Sequence, residues 1–175
     1  MGDYNKTLGN ESGPVPLAVG GVSYSLAYPD QAAKGKYETW LESRVMQAVR
    51  RGKDDLDAES YRLLLTATRD DIANGEYRWG GQRWQAALAT EDGLAMLLWL
   101  CLLPHDKKAT LGQARDLIQK AYEEDPGEVG DDGQLRLDPV TGKPVRQAEI
   151  VCILLDLIAP GKAQTPTGKK TAPAA

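Results

Sequence analysis

The sequence predicts a mainly α-helical fold: a compact bundle of five or six helices with a short N-terminal strand, a small β-hairpin and disordered termini. Apolar residues recur every three or four positions through most of the chain, the period of helices with one buried face. Capping and stopping residues cut that pattern into helix-length pieces. The 175 residues are 42% hydrophobic and 26% charged, enough for one domain with a real core. That domain is expected over residues 21–159, between a flexible arm at 1–20 and a disordered basic tail at 160–175.

Each element has its own signal. Residues 1–20 mix Gly, Pro, Asn and Ser without periodicity, as a mobile arm does. In "GVSYSLAYPD", Val22, Tyr24 and Leu26 alternate with small or polar residues up to Pro29, which reads as one short strand. The next stretch, "KYETWLESRVMQAVRRG", repeats Tyr37, Leu41, Val45 and Ala48 at helical spacing and stops at Gly52. Asp57 caps a second helix with Tyr61, Leu64, Leu65, Thr68 and Ile72 on one face, and Asn74-Gly75 ends it. After an aromatic turn around Gly80-Gly81, a short helix is expected from Gln82 to Ala89.

Thr90 then caps the most apolar stretch of the chain, with Glu91 and Asp92 at the positive end of the helix dipole. Pro104 terminates it. Thr110 caps a fifth helix, "LGQARDLIQKAYEE", which presents Leu111, Ala114, Leu117, Ile118 and Ala121 on one side. "QLRLDPVTGKPV" suggests a small exposed hairpin turning through Asp138 to Gly142. The last helix is apolar almost all round from Ile150 to Ile158, so it belongs in the core or against another chain. Self-association is one outlet for such a surface.

Several function classes fall away. The apolar stretch from Leu94 to Leu103 is about half the ~20 residues of a membrane-spanning helix and is flanked by charges, so no membrane anchor is expected. A net charge of -4 disfavours a surface made to grip nucleic acid, and Arg50, Arg51 and Lys53 meet Asp54 and Asp55 at once. A helix-turn-helix reading would offer Gln113, Arg115 and Lys120 to a groove, but Asp116, Glu123 and Glu124 on the same segment would repel phosphates. The N-terminus lacks the regions of a signal peptide, and Met1-Gly2 is a poor myristoylation match.

Chemistry is equally sparse. Cys101 and Cys152 both sit in apolar runs and read as buried reduced thiols. His105 is the single histidine; it follows a helix-ending proline and reads as an exposed group near a helix C-terminus rather than a general base. Counting from Asp125, the third and fifth positions of a calcium loop would be Gly127 and Val129, so that pattern fails. "GKAQTPTGKKT" has the wrong glycine spacing for a phosphate loop. No catalytic constellation, metal site or cofactor is expected, and the chain does not read as an enzyme.

What remains is apolar surface on helices. The order of "YSLAYPDQAAKGKYETWLESR", "NGEYRWGG", "EDGLAMLLWLCLL" and "ATLGQARDLIQKAYEED", spanning residues 22–124, resembles tail-assembly chaperones of long-tailed bacteriophages and related prophage proteins. That resemblance implies a small, helical, non-enzymatic protein of the bacterial host cytoplasm. It would coat apolar helices of the tape-measure protein until tail-tube protein polymerises around them. It also implies a longer second product made by ribosomal slippage, for which Gly161-Lys162 and Gly168-Lys169 are weak candidates. The contact candidates are Trp40, Leu41, Trp99, Ile150, Leu154 and Ile158, each of which suits the core better than a contact surface. The alternative is a structural or adaptor subunit, head–tail or baseplate, that stays in the particle.

Overall fold

The computed structural model describes residues 13–140 and 142–159; the readings made for residues 1–12 and 160–175 lie outside them. In chain order the elements are β1 (Val15–Val19), β2 (Val22–Leu26), α1 (Gln31–Arg51), α2 (Ala58–Ala73), α3 (Gln82–Leu88), α4 (Glu91–Leu102), α5 (Leu111–Glu124) and α6 (Glu149–Ile158). The fold is mainly α, six helices beside one two-stranded antiparallel sheet.

The N-terminus departs from expectation. Residues 15–19, assigned to the arm, pair with β2 in register from Val15–Leu26 to Val19–Val22. The turn is Gly20-Gly21, with φ of 61° and 73°, the mirror-image geometry that suits the strand twist and that only glycine adopts without penalty. Leu17, Val19 and Leu26 point into the core, while Val22 is 52% exposed. The two glycines between alternating apolar residues were the available signal; Pro16 obscured it, although proline is tolerated on an edge strand.

α4 is the axis of the molecule. It packs against α1, α3, α5, α6 and β2, and every residue from Gly93 to Leu102 except Trp99 is buried. A helix apolar on all sides needs such a surround, and each enclosed Leu or Met contributes roughly 1.5–3 kcal/mol. Its ends are tied. The Thr90 hydroxyl accepts from the Gly93 N–H at 3.1 Å, and the Ala27 N–H after β2 donates to the Cys101 carbonyl at 2.9 Å. Near the N-terminus, Asp92 pairs with Arg44 of α1 and, at 3.0 Å, with Arg115 of α5. One carboxylate thus bridges three helices.

α5 begins with a full capping box. The Thr110 hydroxyl accepts from the Gln113 N–H at 3.2 Å, and the Gln113 side chain accepts from the Thr110 N–H at 2.8 Å. Between α5 and α6 the described residues make only isolated bridges, Val129–Leu135 and Leu137–Pro144. The hairpin expected here is reduced to that second bridge, flanked by Asp138 and Val145 donating to Lys143 and Arg136; the Arg136 N–H, which would carry the ladder on, donates to the Glu128 carbonyl at 2.8 Å instead. α6 has no side-chain cap of its own. Asp125, just past α5, supplies one across the loop: it accepts from the Glu149 N–H at 3.0 Å and holds Arg146 at 2.6 and 3.2 Å.

α2 lies at the edge, packed on α1, with Thr68 its single buried residue. Leu56, Leu63 and Leu64 are 39%, 60% and 42% exposed. No single helix among the described residues is long and apolar enough to cross a membrane.

Candidate functional site

A groove runs along α6. Its main part is a cavity of about 630 Å³ walled by Trp84 and Leu88 of α3, Leu94 of α4, Tyr122 of α5, Leu135 and Pro144 of the loop, and Val151 and Leu155 of α6. A second cavity of about 630 Å³ adjoins it and shares Trp84, Gln85, Ile158 and Ala159; its other walls include Tyr28, Lys34, Trp79 and Leu157. At the opposite end Tyr122 also borders a shallow depression with Glu91, Gln119 and Glu123. The first two thus run together as a trough along α6, and the third meets it at Tyr122.

The trough exists because α6 has two apolar faces. Ile150, Leu154 and Leu157 face the core and are buried, whereas Val151, Leu155 and Ile158 are half-buried on a face where successive turns bring residues four apart together. Nothing among the described residues covers that second face. Its rim is held by the Asp125–Arg146 pair and by Gly127, which has φ 95° and sits so close to the Arg146 carbonyl that any Cβ would overlap it.

Aromatic rings build the floor of the second cavity. Tyr37, whose hydroxyl donates to the Gly93 carbonyl at 3.3 Å, meets Trp40, Trp79 and Trp84 edge-on at centroid distances of 5.4, 6.0 and 6.3 Å. Trp79 and Trp84 are 4.8 Å apart, and the Lys34 ammonium lies 5.3 Å from the Trp79 ring centre, within cation–π range. Trp84 is 6% exposed, yet its indole Nε1 is buried with no acceptor among the described residues. A buried donor left unpaired costs about 1–3 kcal/mol, and native structures contain few.

The residues singled out from sequence are dispersed. Leu41, Ile150 and Leu154 are 8%, 3% and 0% exposed; as core residues they are closed to a partner, which corrects their candidacy. Trp40 packs on Tyr37 under the Arg44 guanidinium, 5.6 Å from its ring. Trp99 is half-buried, and its indole N–H donates to the Ala109 carbonyl at 2.9 Å, so it fastens α4 to the turn before α5. Ile158 alone of the six lines the groove. Trp84, Leu88 and Tyr122 were missed, and within the apolar run from Ile150 to Ile158 the positions singled out were Ile150 and Leu154 rather than Val151 and Leu155. In a helix apolar all round, periodicity does not say which apolar residue faces in.

His105 is exposed. Cys101 is fully buried, and burial pushes its thiol up to about 12. Cys152 is exposed, not buried as its run suggested, because it falls on the outer side of α6. Among the described residues no three of His, Cys, Asp and Glu gather as a metal-binding group.

Fold and trough together define a helical protein with an open, largely apolar cleft. No family model, curated protein or solved structure matches the chain.

Proposed function

We propose that this protein is a phage tail-assembly chaperone whose groove along α6 holds apolar helices of the tape-measure protein, in the host cytoplasm, until tail-tube protein replaces it. The observation that supports the reading is the uncovered face of Val151, Leu155 and Ile158 opposite Trp84, Leu88 and Leu94. A helix laid in an apolar groove is a general mode of peptide recognition, read through side chains three and four apart. Burial contributes roughly 25 cal/mol per Å² before ordering costs. An open trough gives modest affinity per copy, which suits a protein that must let go. Catalysis has no part in this reading.

The test is co-purification with fragments of a tape-measure protein. Leu155→Glu and Ala159→Glu place a charge on groove positions outside the core. Both variants should keep wild-type melting and lose the fragment; capture unchanged by both would sink the groove assignment. A second reading, a subunit that stays in the particle, is favoured by the exposed leucines of α2, which suit a permanent neighbour. Protein composition of purified particles separates the two, since a chaperone leaves and a subunit remains.

A further inference from the structure

The trough is chemically different at its two ends, and this difference specifies its occupant beyond "apolar". At one end Glu91 and Glu123 stand beside Tyr122. Neither carboxylate belongs to an ion pair among the described residues: Arg44 and Arg115 are engaged by Asp92, Arg146 by Asp125, and Arg136 by Glu128. Glu123 has only the Gln119 amide, at 3.4 Å. At the other end, the second cavity is walled by Lys34, Trp79, Trp84 and Gln85. The Gln85 amide is spent on the Gly80 carbonyl at 3.1 Å, and nearby Glu38 on the Trp79 N–H at 2.8 Å. That leaves the Lys34 ammonium over the Trp79 ring with no carboxylate paired to it among the described residues, while the unpaired Trp84 indole N–H is sealed beneath the stack.

A cation seated on a tryptophan ring asks for an oxygen acceptor carrying negative charge, and charge-assisted hydrogen bonds are the strong ones. Two free carboxylates at the far end ask for a cation. Between them lie Leu88, Leu94, Val151 and Leu155. We infer that the groove takes an amphipathic helical segment of a protein partner with an Asp or Glu at the Lys34–Trp79 end, an apolar middle, and Lys or Arg at the Glu91–Glu123 end. This rests on the groove being the client site, and it adds the order of charges. Complementary ends contribute chiefly specificity and register, and the apolar middle supplies most of the affinity.

Three synthetic helical peptides with the same leucine stripe test it: one with a Glu end and a Lys end, one with Lys at both ends, and one with Glu at both. Binding is measured by titration calorimetry against the full chain. The bipolar peptide should bind about tenfold more tightly than either other, at low salt. Lys34→Glu should shift the preference to the Lys/Lys peptide, and the exposed pair Glu91→Lys with Glu123→Lys should shift it to the Glu/Glu peptide. The Trp79 indole N–H resonance should move on saturation with the bipolar peptide. Equal affinity for all three, with loss of every one on Leu155→Glu, would overturn the charge order and leave the groove reading standing. No binding of any peptide would remove both. An unmoved Trp79 resonance would overturn the acceptor site. Binding that appears only after residues 160–175 are deleted would give the groove to that segment, and a dimer broken by Leu155→Glu would give it to a second copy; either overturns the proposal.

Discussion

Gly93 shows how one missing Cβ sets the packing of the centre. An added Cβ would overlap the Ala87 carbonyl oxygen and lie 2.9 Å from the Tyr37 hydroxyl oxygen. Glycine to alanine inside a helix ordinarily gains close to 1 kcal/mol. Here Gly93→Ala should instead destabilise, by about 1–3 kcal/mol as for other overpacked sites, read as a lower denaturant midpoint; a gain would refute the close approach. Cys101 gives a second residue-level expectation. Its thiol is raised from 9.0 to about 12 by burial, and burial also raises Tyr37. A group raised in the folded state stabilises fully below its unfolded value and loses that contribution as pH rises toward the folded one. Stability should therefore fall above pH 9, at up to about 1.4 kcal/mol per pH unit for each such group. Cys101→Ala should flatten the fall between pH 9 and 12 in equilibrium unfolding; an unchanged slope would count against the burial.

The elements differ in how openly the sequence declared them. Thr90, Thr110 and Asp57 each cap the helix expected of them, because a cap is a local hydrogen bond and its signal sits within three residues. α1 starts at Gln31, earlier than the apolar repeat suggests, since Asp30 caps it through the Ala33 N–H before any large apolar residue appears. β1 was hidden in the supposed arm, and the 134–145 hairpin shrank to a bridge. Strands draw on distant partners, and their local signals are weaker. Thr110→Ala should cost about 1 kcal/mol. Gln113→Ala combined with it should cost less than the sum of the two, as expected for members of one box. Strict additivity in thermal unfolding would argue against the reciprocal pair.

At the scale of the whole molecule, the architecture was legible and the site was not. Helix count and the enclosed α4 follow from period and caps. The groove needs knowledge of which side of α6 meets α4, and the all-apolar run from Ile150 to Leu155 conceals it. It also needs Trp84 and Tyr122, from helices far apart in sequence, brought to one wall. Of the six residues proposed from sequence, Ile158 reached that wall because it shares the outer face of α6 with Val151 and Leu155, away from Ile150, Leu154 and Leu157. One whole-molecule expectation follows from the edge position of α2. Replacing Leu63 and Leu64 together by Gln should leave stability within about 1 kcal/mol, as at other surface sites. The same double change should abolish any concentration-dependent association seen by sedimentation; association that persists would place the contact elsewhere.

The capping of α6 by Asp125 has a consequence in time as well as in space. The helix is anchored by a residue beyond the other end of its own loop, and the segment 125–148 between them has almost no regular structure. Such a part of a protein opens as a unit of its own, ahead of the global transition. Amide hydrogens of α6 should exchange with deuterium faster than those of α4. The Arg146 hydrogen bond and the Glu149 and Gly127 N–H groups lower the Asp125 carboxyl below its ordinary 3.8, so this anchor is intact above that pH and released as pH falls below it. Acidification toward pH 3 should therefore lower the protection factors of α6, each taken against the intrinsic exchange rate at that pH, before those of α4, and Asp125→Asn should lower them already at neutral pH. One wall of the cleft would then be a slow clock, setting how long anything held there stays.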